Sequence, residues 1–451
     1  MSAQSAIFNP SQTTSAATGD GFSVPRLTTT GRLAIVFGTG DSGMMVYDTT
    51  LNNLFIWNGT AWTSVPDSGD STNTQVIFND NGILAGNAGL IYQKTTQKLT
   101  VSGTVEIWDG PGSGADNVGV GRLALALQTT GAGNTAVGFN SGNNLTTGAY
   151  SAFLGINAGS GVNTGSNNVA IGVDSMSTSG PQVHSGANNI AVGNSAMLSG
   201  QSITGSNNVG IGKDTFRNLT GGTVNVGIGQ GALQDLTFSS YIVGIGANAL
   251  NKNTSGARNV AVGGFALATN VSSNDCTAVG YEAAILNTVA GITAIGSKAL
   301  TANTSGASNT AVGFSALAAV TTTSNNTALG FRAAQVTDAS DTTAIGSNAL
   351  AAVTTGYSNT AVGSGAGNAV TSGVGNTYLG TQTAQNNLTG STNTGIGFQA
   401  LNSATVSDLV AVGANALVLN TTGLQNTAVG RSALATIGID SNSTALGFNA
   451  G

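Results

Sequence analysis

A short motif, Asn134-Thr135-Ala136-Val137-Gly138-Phe139-Asn140-Ser141, returns in varied form along three quarters of the chain. Aligned on the glycine that follows an aliphatic residue, it occurs 20 times, from Gly121 to Gly447. Seventeen of the 19 intervals are 16 or 17 residues; the others, Gly172 to Gly193 and Gly193 to Gly212, are 21 and 19. A fixed short period means that each unit stacks on its neighbours, since one unit is too small to enclose a core alone.

The columns of the repeat say what each unit is. The residue before the glycine is Val, Ile or Leu in all 20 copies, and the residue three before it is β-branched in 19, with Ala152 the exception. Between them lies Ala or Gly in 18 copies, with Phe153 and Tyr378 departing. Alternate residues of a strand point to opposite faces. Each copy therefore reads as a very short strand with one bulky and one nearly bare face. The glycine ends the strand where a turn needs positive φ or another backbone comes close. Three residues later sits Ala in 16 copies and Ser or Thr in four, which marks a crowded position. Asn opens 13 copies, and stacked Asn side chains form hydrogen-bonded ladders.

A helix is excluded, because a glycine in every unit costs about 1 kcal/mol relative to Ala each time. A parallel β-solenoid satisfies both period and residue types. Twenty coils at ~4.8 Å each give a rod of ~95 Å if the chain stacks on itself. A higher period overlies the first: Gly246, Gly296, Gly346 and Gly397 are spaced 50, 50 and 51. The residue four after the glycine runs Leu250, Leu267, Ala284, Leu300, Leu317, Ala334, Leu350. This three-coil module has two readings: duplication of three coils, or a chain returning to one side of an intertwined fibre every third unit.

Only 7% of the 451 residues are charged and 5% aromatic, with 67 glycines. Ordinary globular domains carry about 25% charged residues, so a set of conventional compact domains is excluded. A single 16–17-residue coil has a thin core. The bare Ala/Gly face leads to the expectation that other chains supply further burial, in a homotrimer. The formal charge is −6 and the 12 basic residues are scattered, so no nucleic-acid footprint is present. Cys276 is alone, fills an Asn slot and is expected as a small packed residue. Met1 to Ser23 has neither the basic start nor the apolar core of a signal peptide, and no run approaches a membrane span.

In chain order, residues 1–21 read as an arm and 22–65 as a small β attachment module. Within that module Leu33 to Phe37 is expected as a strand, and Leu54 to Trp62 as a hairpin about Asn58-Gly59. Residues 66–73 are a linker and 74–116 a second β module or neck, with turns at Asn79 to Gly82 and Lys94 to Gln97. The rod occupies 117–451 and contains one long loop, Ser175 to Ala187, with Pro181 and the single histidine, His184. The last copy stops just after its glycine turn, which leads to the expectation of a further domain or another protein at that end.

No chemistry-bearing constellation emerges. Gly119-Val120-Gly121 and Gly227 to Gly231 imitate fragments of a dinucleotide fingerprint, but they are copies of the repeat with no βαβ unit around them. His184 is expected at the surface of a polar loop, and Asp338 and Asp341 as solvated. Tyr150, Phe153, Tyr241, Tyr281 and Tyr378 could stack on sugars, though packing accounts for them better. Catalytic, metal-binding and cofactor-binding residues are none, and no receptor-binding residue is singled out. A lattice binder working through Thr310, Thr327, Thr343 and Thr360 is disfavoured, because those residues share the face expected to be buried.

The Asn-Thr-Ala-Val-Gly-Phe repeats resemble the head repeats of trimeric autotransporter adhesins, and the similar repeats of bacteriophage tail fibres, which often precede a self-cleaving chaperone domain. The resemblance covers the rod and implies a left-handed parallel β-roll within a homotrimer; the 16–17-residue period departs from the shorter adhesin unit. Gly21 to Thr30, Tyr47 to Asn52, Trp57 to Trp62 and Asn73 to Asp80 are similar to segments near the start of tail fibres. An autotransporter would carry a signal peptide and a membrane anchor, neither of which is seen, so the phage side is favoured. The resemblance thus implies a virion protein, made in the host cytoplasm, that attaches the phage to a host glycan or protein. Its N-terminus would dock to the tail or baseplate, with a distal fibre or chaperone at the other end. The alternative is a bacterial trimeric surface adhesin.

Overall fold

The computed structural model describes residues 24–36, 43–65, 116–178, 180 and 182–451, together with the backbone of four strands between 74 and 108. The expected arm, the linker 66–73, the turn residues Asn81-Gly82 and Lys94 to Gln97, and Pro181 lie outside the described residues. The chain divides into two units, Met1–Trp108 and Asp109–Gly451.

In the first unit, β1 (Arg26–Leu27) pairs in parallel with β2 (Met45–Asp48), which pairs antiparallel with β3 (Asn53–Trp57). The expected hairpin is present: β3 and β4 (Trp62–Ser64) pair with Trp57 opposite Trp62, and the rings meet edge to face at 5.7 Å. Asn58 Oδ1 accepts from the amides of Thr60 and Ala61, which closes the turn.

The strand expected at Leu33 to Phe37 does not form over its described residues, Leu33 to Val36. Thr29–Leu33 forms a short helix, α1, because Thr28 caps it: its Oγ1 accepts from the Gly31 amide at 3.2 Å. Arg32 then turns inward. Its Nε donates to Asp48 Oδ2 at 2.9 Å, and its guanidinium lies 3.7 Å from the Phe55 ring centre. Asp48 is buried and also accepts from Thr29 Oγ1 and the Thr50 and Leu51 amides. Burial alone would raise its carboxyl; the hydrogen bonds outweigh that and hold it at about 2.

Four further strands, β5 (Thr74–Asp80), β6 (Ile83–Gln93), β7 (Lys98–Val101) and β8 (Val105–Trp108), pair antiparallel in sequence order.

The second unit is a parallel β-solenoid. Among the described residues it has 20 three-residue strands, from β9 (Val118–Val120) to β28 (Thr444–Leu446). Each pairs in parallel and in register with the next, so Thr310, Ala311 and Val312 stand beside Thr327, Ala328 and Leu329. The chain therefore stacks on itself at every coil.

Which face points inward reverses the expectation. The middle residue of each strand is buried in 19 of the 20 coils, and none of the 40 residues flanking it is buried. The bare Ala/Gly face does not await another chain; it lines the solenoid's own core. The physical reason lies after the corner. The corner glycines have φ between +121° and +141°, and the residues two and four further on are again left-handed, as at Ser315 (53°) and Leu317 (49°). This alternation turns the chain sharply and drives the fourth residue across the narrow interior. Leu250, Leu267, Leu300 and Leu317 are all fully buried there. A non-glycine left-handed residue costs about 1–2 kcal/mol, which burying a leucine, worth about 1.5–3 kcal/mol, offsets.

The two exceptions in the middle column support this account. Phe153 is accommodated by Gly142, at the fourth position of the preceding coil, where a Cβ would lie 2.7 Å from the phenyl ring. Tyr378 is accommodated in the same way by Gly367, at 2.9 Å. The Tyr378 hydroxyl accepts from Asn387 Nδ2 at 3.0 Å, which satisfies the one polar atom brought inside.

The Asn column forms a ladder of a particular kind. Each Asn clips the backbone of the next coil: Asn309 Oδ1 accepts from the Asn326 amide at 2.9 Å, and Asn309 Nδ2 donates to the Thr323 carbonyl at 2.8 Å. Asn225, Asn359, Asn376 and Asn393 repeat the pattern. Cys276 does sit in this column, buried, with its amide donating to Asn259 Oδ1. Among the described residues no helix is long and apolar enough to cross a membrane.

Candidate assembly interface

The outward side of the ladder is the surface that most departs from an ordinary protein exterior. Two columns run its length, three and one residues before the corner glycine. Both are composed of Val, Ile, Leu and Thr with a single Ala, and no charged residue occurs in any of their 40 positions. Exposed members include Val118, Leu154, Ile171, Ile211, Ile295, Leu329 and Leu379. Scattered exposed aliphatics are normal on a monomer, but contiguous apolar patches beyond a few hundred Å² are rare. Here the coil rise of ~4.8 Å and the ~3.3 Å per strand residue give a face of about 1,000 Å².

In six of the 20 coils the residue after the glycine adds an aromatic ring beside the face, as at Phe139, Phe314 and Phe448. Phe314 and Phe331 stack at 5.6 Å, and Arg122 and Arg431 lie over Phe139 and Phe448 at 4.8 and 5.8 Å. Charges are absent from the two strand columns; three, Arg122, Lys213 and Arg431, fall in the column after the glycine, and the rest lie beyond it. Arg258 donates through Nε and Nη2 to Asp275 in the next coil at 2.6 and 2.8 Å, and Lys252 pairs with Asp235 at 3.0 Å.

The threonines Thr310, Thr327, Thr343 and Thr360 belong to this outward face and are not buried, so the ground on which a lattice-binding role was disfavoured does not hold. Sequence reasoning missed the face because alternation fixes two sides of a strand without saying which is inside.

The remaining singled-out residues are not brought together. Tyr150, Tyr241 and Tyr281 are exposed, whereas Phe153 and Tyr378 are core. Asp338 accepts from Thr321 Oγ1, and Asp341 from Asn325 Nδ2, each bonding to an adjacent coil. Among the described residues no group of three or more His, Cys, Asp or Glu could hold a metal ion.

His184 is not at the surface. The extra length of its coil folds it inward beside Met176, Met197 and Ile203, and it is only 3% exposed. Its Nδ1 accepts from the Ile203 amide at 2.9 Å, and Nε2 faces the Ser177 carbonyl at 3.3 Å, which defines the neutral ring with the proton on Nε2. Burial lowers its pKa to about 4, against a small opposing effect of the Ser177 carbonyl. A depressed histidine contributes stability in full above its unfolded value of 6.5 and loses it as pH falls towards 4. The loss should reach about 3 kcal/mol. Thermal unfolding of the native chain and of His184→Gln between pH 7 and pH 4 checks this; the native chain should lose the greater share of its stability.

No curated protein and no solved structure matches the chain. Residues 4–76, which include the Arg32–Asp48 module, match the family model of a phage tail like trimerisation region.

Proposed function

We propose that this chain is a trimeric tail-fibre protein of a bacteriophage, whose N-terminal region docks to the tail or baseplate and whose rod mediates attachment to the bacterial surface. The carrying observation is the match of residues 4–76 to the family model of a phage tail like trimerisation region, in a chain that continues as a 20-strand solenoid. The family and the fold point to a structural fibre. In-register parallel stacking makes the rod a stiff spacer, and three copies on one axis present any surface feature three times. Weak contacts with a host glycan or protein then add through their effective concentration.

Two measurements test this reading. Light scattering on the purified full chain should give three times the chain mass, and antibody labelling should decorate the tails of intact virions. A monomeric mass, or labelling of bacterial cells in cultures free of virions, would count against it.

A further inference from the structure

Resting on that trimeric reading, we propose that the three rods pack on one another through the outward sheet face, the columns three and one residues before each corner glycine. The occupant of the face is a second copy of the same face.

Four observations carry the inference. First, the interior of each coil is already full, so the uncovered apolar surface is this face and not the Ala/Gly side. Second, the face is charge-free along 20 coils while ion pairs lie beyond its margins, the apolar centre and polar rim of a subunit contact. Third, residues 4–76 match the family model of a phage tail like trimerisation region, and three chains joined there in the same sense would run in parallel. About a threefold axis each rung then meets its own equivalent, Val312 beside Val312, so one repeat pattern satisfies the contact at every level. Fourth, about 1,000 Å² per copy reaches the range of stable specific interfaces. The contact is not uniform. Coils from Val169 to Val262 carry Val or Ile in the outer column, and those from Thr277 to Ile396 carry Thr, so the N-terminal half of the rod is the more apolar.

The test uses the full chain with one added cysteine at a time: Thr310→Cys or Val312→Cys on the face, and Thr322→Cys, exposed in another part of the coil. The native Cys276 is buried and contributes no background. After mild oxidation, denaturing gels read inter-chain disulfides, and light scattering on the same samples reads mass. The expected result is trimer mass with linked dimers from Thr310→Cys or Val312→Cys and none from Thr322→Cys. Trimer mass with linking only at Thr322→Cys, or at none of the three, overturns the proposed face and leaves the trimeric reading standing. A monomer mass overturns both and returns the exposed threonine rows to a lattice-binding role, which thermal hysteresis in ice would reveal.

Discussion

Gly313→Ala is expected to abolish stable stacking around its coil, with a cost of about 3 kcal/mol or more from left-handed strain and overpacking together. The backbone there has φ of +136°, and an added Cβ would lie 2.6 Å from the Gly330 carbonyl carbon in the next coil. Neither backbone can yield alone, because the corner glycines from Gly121 to Gly430 each lie against the next one in the same way. Gly263 and Gly346, for instance, would place a Cβ within 2.6 Å of the next coil's corner. In a linear array the damage is local at first, since each unit contacts only its neighbours. Hydrogen exchange should therefore show lost protection from about Ala294 to Ala328, with the distant coils unchanged; uniform protection would show that the corner tolerates a side chain.

Asn225→Ala should be nearly as damaging, although it removes only a small amide. The Asn225 side chain accepts from the Ile242 amide at 3.0 Å and donates to the Ser239 carbonyl at 2.9 Å, all of it buried. Its loss strands two backbone groups, each at about 1–3 kcal/mol. Ile242 interrupts the ladder, so no amide in the next coil stands in. Asn225→Asp keeps the acceptor for Ile242 but loses the donors to Ser239 and to Asn208 Oδ1 and turns a buried carboxylate towards both of those oxygens, so chemical denaturation at pH 7 should place it no higher than Asn225→Ala. Equal stability of all three would dismiss the ladder as a stabilising element.

Much of the rod was legible because its columns are nearly invariant within one chain. The corner glycines announced their positive φ, and Asn134, Asn309 and Asn426 announced a hydrogen-bonded ladder. The sidedness of the strand was not legible. In most sheets the bulky face goes inward, and that habit placed Val and Thr inside. A coil this narrow cannot hold them, because Leu317 and its equivalents cross it from the far wall. One signal was available: Phe153 comes with Gly142, and Tyr378 with Gly367, which marks the two columns as sharing one space. Asn, Asp and Ser at the second position after the glycine, as at Asn140, Asp174 and Ser315, hinted at left-handed turns. His184 could not be placed, because its position depends on how a coil of irregular length folds. At the N-terminus, the Thr28 cap and the Arg32–Asp48 pair decided between helix and strand where the apolar run Leu33 to Val36 suggested the latter.

The in-register ladder also makes reach a countable property. Each coil adds one rise of ~4.8 Å and closes its hydrogen bonds only with the coils on either side. Coils whose fourth residues match, such as those ending at Gly296 and Gly346, offer equivalent joints, so excising or duplicating the segment between them joins like to like. Rod length can therefore change by whole modules while the sequence at either end, and whatever it binds, stays the same.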